Sequence, residues 1–267
     1  MVADHSDVVV LVLGLDETLE GEEGDTGNAD ASGDKMSLLL PQGQRDLAKA
    51  VLDTGKPVIL CLMAGSAIDV SEIADRAAAV VQLWYPGARG GKAAADILFG
   101  KRSPSGKLPV TFYYNSALEE MPAFTDYSME NRTYRYYTGK PLYPFGYGLT
   151  YGNTSVLSVT ADKHAAAVTV RNDGAATEDV LQLYLKDTAS PFAPENPILC
   201  GFQRIALSQG EEKEIVIPLN PDAFRVCNEE GEWIPGSGKW TLYAAFGQPD
   251  ERTEELTGKK AVSCTIK

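Results

Sequence analysis

The run VVVLVL at Val8–Leu13 is unbroken and apolar, and GLDETLEGEEGDTGN at Gly14–Asn28 follows it directly. A strand apolar on both faces belongs in a parallel sheet that is covered on both sides. Open α/β sheets place ligands beyond the carboxyl ends of their strands. The loop behind this run carries Asp16, Glu17, Glu20, Glu22, Glu23 and Asp25, and Asp30 and Asp34 follow. It reaches from Gly14 to about Leu40, past the roughly 12–15 residues beyond which structureless loops are uncommon unless functional or disordered. From the loop alone, a catalytic carboxylate and a solvated acidic surface both remain open.

Outward from this run, strand and helix alternate. Pro41–Thr54 is predicted as a helix with Leu47, Ala50 and Val51 on one face and Gly55 as its stop. Val58–Met63 and Ala79–Trp84 are continuous apolar strands, and Leu108–Tyr113 is the final one. Between them lie a short helix at Ser71–Arg76, with Ser71 as its cap, and a helix at Gly90–Phe99 ended by Gly100. About four strands is fewer than the five or six usual in a doubly wound sheet. A sheet cut there exposes an apolar edge, which folded proteins avoid. A missing N-terminal region or a partner chain is therefore expected to complete it.

From Ser116 to Asn153 periodicity fades and Tyr, Pro and Gly dominate. Flexible linkers are poor in aromatics, so this stretch is expected to be pinned to a domain surface as an aromatic clamp; lining a sugar site is the alternative role. Thereafter the pattern alternates, as in Leu181, Leu183 and Leu185 against Gln182, Tyr184 and Lys186, with turn-prone separators such as Asn172-Asp173-Gly174. About seven short strands indicate a β-sandwich. The expected fold is α/β plus all-β. A partial open, mostly parallel α/β sandwich occupies residues 1–115, an aromatic-rich linker 116–152, and a fibronectin type III-like β-sandwich 153–267.

The chain has 267 residues and a net charge of −13, which argues against nucleic acid and anionic lipid as partners. No apolar stretch approaches the roughly 18–20 residues of a membrane helix. His5 and His164 are isolated, and Cys61, Cys200, Cys227 and Cys264 form no CxxC pair, so no metal or other cofactor is expected. Sparse cysteines and a polar start favour the cytoplasm. Two further patterns fail. In Gly87–Lys92, Pro86 stands where a phosphate loop needs its first Gly and Ala93 replaces its Ser or Thr, and the acidic loop lacks the EF-hand spacing.

Several motifs together resemble glycoside hydrolase family 3 in its C-terminal part, of the β-xylosidase and β-glucosidase branch. They are the acidic loop, ASGDKMSLLLP at Ala31–Pro41, GKPVILCLMAGSA at Gly55–Ala67, YPGARGGKAAADILFGKRSPSGKLPVTFY at Tyr85–Tyr113 and DYSMENRTYRYYTGKPLYPFGYGLTY at Asp126–Tyr151. The resemblance implies a retaining exo-acting β-glycosidase acting on a β-linked oligosaccharide or glycoside. It also implies that the nucleophilic Asp lies in a barrel domain supplied by the same full-length protein or by a partner chain. Such enzymes use two carboxyl groups roughly 5–5.5 Å apart. By motif position the acid/base is Glu22, with Glu20 second and Glu23 third. Thr26 stands where many members have Arg, which leaves the role of Asp25 open. Homo-oligomerisation through the sheet edge is a further expectation. The alternative function is a non-catalytic carbohydrate-binding or assembly module.

Overall fold

The computed structural model describes residues 2–21 and 35–266. Two compact units divide the chain, residues 1–101 with 112–120 and residues 102–111 with 121–267.

In the first unit β1 (Val9–Gly14), β2 (Val58–Met63) and β3 (Ala79–Gln82) pair in parallel in the order β1-β2-β3. Leu60 and Leu62 of β2 are buried, as are Ala48, Val51 and Leu52 of helix α1 (Gln42–Leu52). Gln44 of α1 holds the end of β1 as a strand neighbour would: its Oε1 accepts from the Gly14 N–H at 2.9 Å and its Nε2 donates to the Gly14 carbonyl at 2.7 Å. Helix α2 covers Ser71–Ala74 and α3 covers Gly90–Leu98. Val10 and Val12 on β1 are about half exposed, at 49% and 54%.

Two local expectations are corrected. Ser71 does not cap α2. It is the first helical residue, and its N–H donates to Asp69 Oδ1 at 2.8 Å. Leu108–Tyr113 is not a strand, so the sheet has three strands among the described residues. Pro109 has no N–H for a ladder. Leu108 exchanges hydrogen bonds with a loop instead, donating to the Tyr147 carbonyl at 2.9 Å and accepting from the Gly146 N–H at 2.8 Å. Residues 102–111 thus pack with the second unit.

That unit begins with the short helix α4 (Thr133–Tyr136). Its strands are β4 (Thr154–Ala161), β5 (Ala165–Asn172), β6 (Thr177–Asp187), β7 (Ile198–Leu207), β8 (Glu212–Pro218), β9 (Arg225–Cys227), β10 (Trp233–Pro235), β11 (Trp240–Ala245) and β12 (Val262–Ile266). Helix α5 (Glu251–Thr257) lies between the last two. A sheet in the order β12-β11-β6-β7 and one in the order β4-β5-β8 make a fibronectin type III-like sandwich, and β9 and β10 form a separate hairpin. Alternate side chains from both sheets build the core, among them Val168, Val170, Leu181, Leu183, Ile215, Ile217, Trp240 and Leu242.

Strand β6 departs from simple alternation. Gln182 and Tyr184, expected to face outward, are 3% and 0% exposed. The stretch around residues 134–147 covers them. Tyr134 stacks on Phe145 with centroids 4.1 Å apart, and both rings meet Tyr184 edge-on. Gln182 Nε2 donates to the Gly146 carbonyl at 3.0 Å, and the Tyr184 hydroxyl donates to Gln182 Oε1 at 2.6 Å. Gly146 sits at a φ of 75°, and a Cβ there would meet Gln182 Oε1 at 2.3 Å.

Lys107 ties the 102–111 strap down. Its ammonium meets Asp179 Oδ1 at 2.8 Å, with both side chains buried, and donates to the Gly148 carbonyl at 2.6 Å. The other Asp179 oxygen accepts from the Thr154 hydroxyl at 2.7 Å. Removing one partner strands the other charge in a poorly solvated site. Lys107→Met is expected to lower unfolding free energy by about 3–5 kcal/mol in urea titrations. Breaking the exposed Arg204–Glu178 pair is expected to cost no more than about 1 kcal/mol in the same assay.

Candidate active site

Among the described residues, the segments that leave the carboxyl ends of β1, β2 and β3 meet at Glu20. A turn brings it back after β1: the N–H groups of Leu19 and Glu20 donate to the Asp16 carbonyl at 3.0 and 2.9 Å. Asp16 Oδ1 accepts from the Thr18 N–H at 3.1 Å and its hydroxyl at 2.6 Å. Beyond β2, the Gly65 N–H donates to Glu20 Oε2 at 2.7 Å, and the Ser66 N–H donates to Oε1 at 3.1 Å. The Ser66 hydroxyl also donates to Oε1. Beyond β3, the Tyr85 hydroxyl donates to Oε2. Lys35 Nζ stands 3.5 Å from Oε1 and donates to the Ser66 hydroxyl. Gly65 allows this approach, since a Cβ there would meet Tyr85 Cε2 at 2.6 Å.

Burial pushes the Glu20 carboxyl up, but the Ser66 and Tyr85 hydroxyls, the Gly65 N–H and the Lys35 charge outweigh it and hold the group below the ordinary Glu value. Burial lowers Lys35, partly offset by Glu20. Partial burial, then the hydrogen bond to Glu20 and its negative charge, push the Tyr85 phenol up to about 12. The arrangement favours an ionised carboxylate beside a neutral phenol. A proton donor at this position would need the opposite bias, a carboxyl held above its ordinary value.

Glu22 and Glu23, with Asp25 and Thr26, lie outside the described residues. Gly65, Ser66, Tyr85 and Lys35 were not singled out from sequence, although all fall within or beside the motifs quoted above. For Gly65, Ser66 and Tyr85 the available signal was their position just past the ends of parallel strands. The Gly87–Lys92 segment is a turn into α3, with Gly90 packed against Pro86. Among the described residues no group of three or more His, Cys, Asp or Glu side chains could hold a metal ion.

A family model described as the glycosyl hydrolase family 3 C-terminal domain matches residues 1–151, and a fibronectin type III-like model matches residues 179–247. The chain is 33% identical to a periplasmic β-glucosidase of Salmonella typhimurium, over 90% of this chain and 33% of that protein. It is 34% identical to a xylan 1,4-β-xylosidase of Xylanibacter ruminicola, over 93% of this chain and 30% of that one. A crystal structure of a family 3 β-glucosidase from Bifidobacterium adolescentis superposes with a TM-score of 0.80 at 28% identity, over 99% of this chain and 40% of that one. The chain thus spans about a third of the length of these curated relatives.

Two measurements check the Glu20 network. In alkaline titration followed by ultraviolet absorbance, with Tyr85→Phe as the blank, the Tyr85 phenol is expected to ionise near pH 12. It is expected to move down toward its ordinary value of 10.0 in Glu20→Gln. For stability, a carboxyl held low in the folded state stabilises above its unfolded pKa and loses that contribution as pH falls through the folded value. Glu20→Gln is therefore expected to be less stable than the native chain at neutral pH, with the difference shrinking below about pH 4.5.

Proposed function

We propose a function from one premise: the chain belongs to glycoside hydrolase family 3. It serves as the acid/base-bearing portion of a retaining exo-acting β-glycosidase for β-xylosides or β-glucosides. Glu22 is the acid/base, and the barrel of the full-length protein or of a partner chain brings the nucleophilic Asp. One observation carries the assignment. Glu20, two residues before Glu22, is held ionised by groups from the ends of β2 and β3. A carboxylate bound in this way is a poor proton donor, which supports Glu22, first by motif position, for the donor's task.

In the first half of such a reaction, the acid protonates the departing glycosidic oxygen while the nucleophile attacks the anomeric carbon. In the second half, the same residue, now ionised, takes a proton from water as the glycosyl-enzyme bond breaks. Two carboxyl groups roughly 5–5.5 Å apart are needed, so this chain alone is expected to turn nothing over. The half-exposed Val10 and Val12 of β1 support coverage by further polypeptide, either the remainder of the sheet and barrel or a second copy. Free Cys61, Cys200, Cys227 and Cys264 support a reducing cytoplasm, and the Salmonella relative's periplasmic name makes fractionation the check. Among the described residues no helix is long and apolar enough to cross a membrane.

The test is hydrolysis of aryl β-xyloside and aryl β-glucoside by the chain alone and when joined to a family 3 barrel. Activity is expected only in the joined form. Glu22→Gln is expected to lower kcat about 10²–10⁴-fold, with azide restoring turnover on an activated aryl glycoside. Azide rescue of Glu20→Gln, with Glu22→Gln unaffected, would move the assignment to Glu20. Turnover by the isolated chain would place a nucleophile within these residues and overturn the reading.

A further inference from the structure

Tyr85 reaches Glu20 from the exit of β3, and the chain has to turn to deliver it. Leu83 still keeps to the ladder, its N–H donating to the Leu62 carbonyl at 2.8 Å. Two residues later the Tyr85 hydroxyl donates to Glu20 Oε2. Between them Trp84 has a φ of 55°. This is left-handed backbone, which glycine adopts freely and a bulky side chain rarely does. Among the described residues of the first unit, Trp84 is the only residue other than glycine in this state.

The neighbouring sequence explains why the turn falls there. Pro86 disfavours helical backbone at the residue before it, so Tyr85 has little freedom to bend and the turn is left to Trp84. Sparsely populated backbone states persist only where the surroundings over-determine them, and they cluster at functional sites. Here the brace is the indole itself. It stands edge-on to the buried Phe112, with centroids 6.0 Å apart and 82° between the planes. The other donors to Glu20 are placed by a different device. Gln82 Nε2 donates to the Ala64 carbonyl at 3.2 Å, which ties the exit of β2, just before Gly65 and Ser66, to the end of β3.

We propose that Trp84 is a positioning residue of the candidate site: its left-handed backbone, braced by the ring on Phe112, aims the Tyr85 hydroxyl at Glu20. It acts through Tyr85. Without that turn, Glu20 Oε2 would keep the Gly65 N–H and lose its hydroxyl donor. The bearing of this residue on catalysis rests on the proposed function. The positioning does not, because it concerns a hydrogen bond made within this chain.

The test uses the whole chain and two substitutions that both remove the indole. Trp84→Gly leaves left-handed backbone freely accessible, whereas Trp84→Ala penalises it. Two groups report the hydrogen bond from its two ends. The Glu20 carboxyl is followed by carbon-13 chemical shift in acid titration, and the Tyr85 phenol by ultraviolet absorbance in alkaline titration. In Trp84→Gly the carboxyl is expected to stay below its ordinary 4.5 as in the native chain, and the phenol to stay near 12. In Trp84→Ala the carboxyl is expected to move up and the phenol to fall toward 10.0. In urea titrations the glycine variant is expected to be the more stable of the two, the reverse of their order at ordinary backbone angles. An alanine variant that fails to fold beside a folded glycine variant gives the same order. If Trp84→Gly does not fold, Trp84→Asn takes its place, since asparagine also tolerates this backbone. The proposal is overturned if both variants titrate as the native chain does, because the turn is then dispensable. It is equally overturned if both lose the native titration, because the ring and not the backbone then holds Tyr85, or if alanine is the more stable variant. No turnover is measured, so failure here leaves the assignment of Glu22 untouched, and an inactive joined enzyme leaves this result untouched.

Discussion

A carboxylate taken partly out of water must have its charge answered by fixed dipoles, and Glu20 shows how a parallel sheet meets that demand. Each oxygen accepts from a backbone N–H and a hydroxyl. Gly65 and Tyr85 serve one, and both donors of Ser66 serve the other. None of these groups lies near Glu20 in sequence. They meet because β1, β2 and β3 run side by side in the same direction, so that the segments leaving their carboxyl ends emerge together. The Gln44 clasp on Gly14 sets where β1 stops, and the Asp16 turn sets how the chain comes back.

Much of this architecture was legible in the residues. Val8–Leu13, Val58–Met63 and Ala79–Trp84 read as buried parallel strands because they are apolar without alternation, and all three are strands within a residue or two of the expected ends. The second unit was legible for the opposite reason, its strict alternation between turn-prone separators. Leu108–Tyr113 misled because its apolar residues look like a strand, whereas Pro109 removes a donor and Leu108 spends its own groups on Gly146 and Tyr147. Gln182 and Tyr184 misled because alternation reports the two faces of a strand and not what covers the second face.

The site was legible only along the chain. Motif position singled out Glu20 as second to Glu22, which lies outside the described residues, but Ser66 and Tyr85 reach Glu20 from 46 and 65 residues away, a separation no local pattern encodes. The same limit applies in the second unit. The Lys107–Asp179 pair reads as two ordinary surface charges until the strap brings them into a shared, poorly solvated place.

Burial of β6 on both faces has a consequence for how the chain is made. The aromatic stretch that covers it is synthesised first, and Gly146 precedes Gln182 by 36 residues. As the polypeptide emerges, Tyr134 and Phe145 can stack on each other, yet the tyrosine against which both rings stand edge-on has not been translated. The stretch is thus a waiting half of a core. During translation these rings have no core to enter until β6 arrives. Insertions that lengthen the interval between Gly146 and β6 would prolong that vulnerable period even where the finished fold accommodates them.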